Sequence, residues 1–157
     1  MLEFGIASKT DVAKITLKSA PDRPGIGAQV FGALWSYDIN VELISCTTGL
    51  DQGQDIILIV TKKHLNPAIL KLKRIKEEIE AKDLLVDHDI AVISVTHRGL
   101  SKTPGIGAKV FSALSSANVN VDAVCSSTNA ISCVIRAADV LKAEESLRKE
   151  LEEEGKG

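Results

Sequence analysis

The sequence predicts an α/β protein, an α+β sandwich, made of two copies of one β-α-β-β-α-β unit. Two observations carry this prediction: a long-offset internal repeat, and a hydrophobic period that switches inside each copy between two and about 3.6. Residues 24–34 read PGIGAQVFGAL and residues 104–114 read PGIGAKVFSAL, and nine of these eleven positions are identical at an offset of 80. The match continues through Ile39-Asn40-Val41 and Val119-Asn120-Val121. Upstream, Ala13 to Leu17 pairs with Ala91 to Val95 at an offset of 78, so the second copy has two extra residues before its Pro-Gly. Downstream, IILIV at 56–60 answers ISCVI at 131–135 at an offset of 75, which shortens the second hairpin. A repeat on this scale means one supersecondary unit used twice.

Each element follows from local pattern. Ala13, Ile15 and Leu17 alternate and predict a half-buried strand. Pro24 suits the first turn of a helix, where its fixed φ helps and its missing N–H is not needed. Ile26, Val30, Phe31 and Leu34 share one helical face, as do Ile106, Val110, Phe111 and Leu114. A second strand is expected from Asn40 to Thr47, a turn over Gly49–Gly53, and a fully buried strand from Ile56 to Thr61. Leu65, Ile69, Leu72, Ile75 or Lys76, and Ile79 predict a one-faced helix, and Leu84-Leu85-Val86 a fourth strand. The order is that of a ferredoxin-like sandwich.

The second copy runs to a closing helix over Ala138–Glu153 and leaves no sequence for a fourth strand. The chain opens with Leu2 to Ala7, which belongs to neither copy, and this segment is expected to supply the missing strand. The expected division is residues 1–10 as that strand, 11–88 as the first unit and 89–157 as the second.

Composition narrows the function. Residues 1–80 carry ten charges of each sign, and residues 81–157 carry nine basic and eleven acidic, so neither half has an electrostatic hold on phosphate backbone or an anionic membrane. Only Phe4, Phe31, Phe111, Trp35 and Tyr37 are aromatic, too few for a base-stacking platform. No nucleic-acid or membrane partner is expected. No apolar run approaches the roughly 18 residues of a membrane helix, and no secretory signal is seen. Cys46, Cys125 and Cys133 are odd in number and lack metal-ligand spacing, which points to reduced thiols, no metal and a cytoplasmic location.

Catalytic motifs are missing: no GxSxG, HExxH or P-loop occurs, and His64, His88 and His97 are scattered among structural surroundings. Asp87 and Asp89 flank His88 on a solvated turn, and Cys46 reads as a small buried hydrophobe. The informative segment is the loop before each first helix. Pro24-Gly25-Ile26-Gly27-Ala28 places small residues where helix N–H groups lack partners, a setting for a carboxylate or carbonyl oxygen. Spacing alone favours the blander use, glycines that let the helix pack on its sheet. Asp22 precedes the first Pro-Gly where Lys102 precedes the second. A carboxylate beside free amides suits the two ends of an amino acid zwitterion; its other use is to cap the helix.

The repeat resembles the paired ACT domains of aspartate kinase. The resemblance rests on Pro21-Asp22-Arg23-Pro24-Gly25, Ile39 through Ile44, Asp55-Ile56 and Val92 through Val95. In the second copy it rests on Pro104-Gly105 through Ala108, Val119 through Asp122 and Ile131-Ser132. Gly5-Ile6-Ala7 is similar to the family's lead-in strand, which completes the second ACT unit. The resemblance implies a sensor that binds lysine and/or threonine and regulates an enzyme phosphorylating aspartate. The kinase's lysine- and glycine-rich opening has no counterpart here, so the chain is expected to bind and regulate rather than catalyse. ATP and Mg would belong to the kinase domain, and no cofactor is expected in this chain.

By the same resemblance, the effector touches Asp22, Gly25, Ile26, Gly27, Ala28 and Cys46 of one ACT unit and Asn120 and Val121 of another. A pseudo-equivalent site would use Gly105, Ile106, Gly107 and Ala108 with Asn40 and Val41. Relatives carry Gln at the position of Cys46, and their Ser-Thr-Ser-Glu is here Cys125-Ser126-Ser127-Thr128. Expected partners are the kinase catalytic domain or subunit and a second copy in a homodimer. The alternative is a free-standing tandem-ACT sensor acting on another protein or on transcription. A small phosphatase of the same fold is set aside, because Arg23 has no equivalent at Thr103.

Overall fold

A computed structural model describes residues 4–49 and 53–152. The chain divides into two compact units. One is Asp11–His88, and the other joins the described residues through Thr10 to those from Asp89 onward.

The first unit contains β2 (Val12–Pro21), α1 (Ile26–Trp35), β3 (Leu43–Thr48), β4 (Gly53–Thr61), α2 (Lys62–Ile79) and β5 (Asp83–Asp87). Its sheet has the order β3-β4-β2-β5, antiparallel throughout. Ala13, Ile15 and Leu17 of β2 and Ile56, Leu58 and Val60 of β4 project onto one core with Ile26, Val30 and Leu34 of α1 and Leu65, Leu72 and Ile79 of α2. The period of two on the strands meets the helical stripe, which is the packing that the sequence pattern demands.

The second unit contains β1 (Gly5–Lys9), β6 (Ile90–Thr96), α3 (Ile106–Ser116), β7 (Ala123–Ser126), β8 (Ala130–Arg136) and α4 (Val140–Glu152). Its order is β1-β6-β8-β7, so β1 takes the edge that β5 takes in the first unit. Gly5 through Lys9 pair with Thr96 through Val92, Phe4 and Ile6 pack on the second core, and Ser8 Oγ donates to Glu144 Oε1 of α4 at 2.6 Å. The N-terminal strand therefore completes the second ferredoxin-like sandwich.

Several local expectations change. The strand expected from Asn40 begins at Leu43, and its counterpart in the second unit at Ala123, because the preceding residues form the helix exit. Asp38 and Asn118 take left-handed φ values of 54° and 55°, and the N–H groups of Ile39 and Val119 turn back to Leu34 and Leu114 carbonyls at 3.1 and 2.8 Å. Helix α1 begins at Ile26, with Pro24 in the turn before it and left-handed Gly25 (φ 95°) as its N-cap. The β4 strand starts earlier, at Gly53, and is only partly buried at Gln54, Asp55, Ile57 and Thr61. Phe31 and Phe111 lie off the buried helix faces and are exposed. The closing helix begins at Val140 after a 3₁₀ turn over Ala137–Asp139. Leu2, the middle of the expected 49–53 turn and Glu153 lie outside the described residues, while Gly49 N–H closes the hairpin on Gly53 O at 2.7 Å.

Candidate effector-binding site

The two glycine loops share one backbone design. Gly25 and Gly105 both cap their helices in the left-handed region, at φ 95° and 93°, which an L side chain rarely adopts. The first intrahelical bonds run from Gln29 N–H to Gly25 O and from Lys109 N–H to Gly105 O, each 3.0 Å. The N–H groups of Gly27, Ala28, Gly107 and Ala108, one turn earlier, have no intrahelical acceptor.

The packing explanation for the inner glycines fails. A Cβ at Gly27 would meet nothing within 4 Å, and one at Gly107 only Ile131 Cδ1 at an ordinary 3.9 Å. Nothing inside either unit requires glycine there, and the missing side chain leaves the helix N-terminus open to approach. Ile26 and Ile106 are buried at 1% and 2% exposure, so only their backbones can face a ligand.

Asp22 is exposed and makes no cap bond to α1, which removes the capping reading. In the second unit the corresponding approach is a 3₁₀ turn over Leu100–Lys102, tied by Thr103 Oγ1 donating to Gly99 O at 3.2 Å. The loops therefore carry opposite charge at one aligned position, Asp22 against Lys102.

The asparagines sit at the far ends of the helices. Asn120 is exposed in the α3–β7 connection, where its Nδ2 donates to Asp122 Oδ1 at 3.5 Å. Asp122 is in turn ion-paired with Arg136 at 3.2 Å. Val121 and Val41 are half-buried against their own cores, and Asn40 is exposed. A cavity of about 480 Å³ lies beside Asn120 and Val121, walled by Phe111, Ser115 and Asn118. Phe111, Ser115 and Asn118 were not predicted. The available signal was the polar Asn118 at the helix exit together with the off-face Phe111.

Within one unit the glycine loop and the asparagine loop are separated by a helix of 10 or 11 residues, about 15 Å. No single unit brings both to one small ligand. Cys46 stands on the edge strand β3 opposite Ile56 and is exposed, correcting its reading as a buried hydrophobe. Partial enclosure still pushes its thiol up, keeping it neutral near pH 7.

Comparison with known proteins places this architecture. Residues 93–151 match the ACT domain family. The ligand-free regulatory subunit of aspartate kinase from Thermus thermophilus superposes with a TM-score of 0.86 at 32% identity, covering 92% of this chain and 95% of that one. The chain belongs to the family of aspartate kinase regulatory subunits. The regulatory subunit from Thermus flavus gives a TM-score of 0.87, again at 32% identity, over 94% of this chain and 97% of that one. The aspartokinase of Helicobacter pylori is 32% identical over 144 residues, 92% of this chain and 34% of that protein. The chain thus spans about a third of that aspartokinase and nearly the whole of the solved regulatory subunits. No helix among the described residues is long and apolar enough to cross a membrane.

Proposed function

We propose that this chain is the feedback sensor of a cytoplasmic aspartate kinase, binding lysine or threonine and transmitting occupancy to the catalytic part. The observation that carries this is the opening of α1. Open space over Gly27, amides without intrahelical partners and the exposed Asp22 carboxylate offer complementary groups to the two ends of a zwitterion. Asn120 and Val121 of another ACT unit complete the hold, with the asparagine amide as donor and acceptor. Gly105 through Ala108 with Asn40 and Val41 form the related second site, altered by Lys102 in place of Asp22.

Assembly as a homodimer is part of this proposal. Edge strands β3 and β7 leave a row of backbone groups open, and α1 presents Phe31 and an 81% exposed Trp35. An effector regulates only through unequal affinity for two arrangements of the assembled enzyme.

The test is aspartate kinase activity of the assembled enzyme against threonine and lysine. One of them should lower activity, and Asp22→Ala or Asn120→Ala should raise the half-effective concentration roughly tenfold, the scale of one lost charge-assisted contact. Effector binding without any change in activity would favour a free-standing sensor.

A further inference from the structure

The rims of the two sheets, beside the entry to each glycine loop, are built differently. In the first unit Asp83 on β5 faces Lys18 on β2 in register, and Asp55 stands on β4 next to them. The Asp55 carboxylate pairs with the Lys18 ammonium and accepts a 2.9 Å hydrogen bond from the Ser19 backbone N–H. In the second unit Val95 faces Ile131 as Leu17 faces Ile56, and that register puts Gly5, Thr96 and Ala130 in the three places. The built-in carboxylate is gone, and a cavity of about 310 Å³ is lined by Gly5, Thr96, His97, Arg98, Asn129 and Ala130.

Among the described residues the lining is rich in donors and has no acid. Arg98 is exposed, with no ion pair among the described residues. Asn129 Oδ1 accepts from Gly99 N–H at 3.3 Å, which leaves its Nδ2 as the free end of the amide. His97 is only 6% exposed and stacks on Phe4 with ring centroids 4.7 Å apart, and its Nδ1 has no protein partner. A Cβ at Gly5 would come within 2.4 Å of Thr96 Oγ1, so a side chain there would crowd this rim.

We propose that this cavity binds a small carboxylate anion, held by side chains, since the backbone N–H of His97, the counterpart of Ser19, is already bonded to Asn129 O at 2.9 Å. Arg98 supplies the positive charge and Asn129 Nδ2 a directed donor, the combination that recognises a carboxylate. The volume suits a compact anion, at the lower end of the range for small-molecule pockets. The residues are separate from Asp22, the glycine loops and Asn120, so this site stands or falls apart from the effector reading.

The test is a titration of the full ¹⁵N-labelled chain with sodium succinate against sodium chloride at matched ionic strength, following amide shifts. Saturable shifts are expected at Gly5, Thr96, Arg98 and Asn129. Arg98→Ala should raise the Kd at least tenfold, and Ala130→Asp should abolish binding by placing a carboxylate beside Arg98. Both variants should otherwise keep the parent spectrum, since Arg98 is on the surface and the first unit tolerates Asp at the same position. No saturable shift, shifts confined to other residues, or unchanged affinity in the two variants would overturn the proposal.

Discussion

The same sheet edge is filled by β5 in the first unit and by β1 in the second, from opposite directions along the chain. β5 follows α2 within its own repeat, whereas β1 precedes the whole of the first unit and reaches β6 across more than 80 positions of sequence. Both turn apolar side chains onto the core: Leu84 and Val86 of β5 opposite Leu17 and Ile15, and Ile6 of β1 opposite Val95. A sandwich of this kind needs its fourth strand to cover backbone groups and core, and the connectivity of that strand is free to differ. The two units also differ at the glycine loops, where equivalent backbones carry Asp22 in one and a 3₁₀ turn with Lys102 in the other. Shared fold and unequal chemistry make one scaffold with two non-equivalent loops.

The largest effects should come from the cores. Leu72→Ala and Leu147→Ala each empty a fully buried position on the second helix of a unit, and each should cost about 2–5 kcal/mol in denaturant unfolding. Similar losses would confirm that the two cores are equivalent. The edge strands come next. Ile6→Asp and Leu84→Asp should each destabilise by about 2–3 kcal/mol. Amide exchange should rise at Val92–Thr96 for the first and at Lys14–Lys18 for the second, the strands to which each edge is paired. Protection unchanged at Val92–Thr96 in Ile6→Asp would break the equivalence of β1 and β5.

Glycine exchanges separate backbone demand from ligand access. Gly25→Ala should destabilise by about 1 kcal/mol because of its left-handed φ. Gly27→Ala, inside a helix with open space around it, should stabilise by up to about 1 kcal/mol. The same Gly27→Ala should weaken effector binding, so stability and affinity move in opposite directions. The smallest effect is a pH dependence in the second unit. Burial pushes the Cys133 thiol up from 9.0 to about 11. The unfolded thiol gives up its proton first, so stability should fall as pH rises from about 9 to about 11, and Cys133→Val should flatten that decline.

Much of the fold was legible in the sequence because the repeat checks each element twice. The second copy's missing strand and the unassigned Gly5-Ile6-Ala7 together foretold the role of β1. The strand starts were misread because Ile39, Val41 and Leu43 alternate like a strand, while Ile39 in fact plugs the core from a helix-exit turn. Cys46 was misplaced because an edge strand exposes residues whose neighbours are apolar. His97 looked like a scattered histidine, since no local pattern reveals a partner as distant in sequence as Phe4. At the site, Asp22 and the glycines were visible in sequence. Their freedom from capping and packing duties required coordinates.

Calorimetric titration of the chain with threonine and with lysine, alongside its solution mass, tests the central claim most directly. Saturable binding of one amino acid to a dimer, weakened about tenfold in Asp22→Ala, is the predicted result. No saturable heat with either amino acid, or an affinity that Asp22→Ala leaves unchanged, would contradict it.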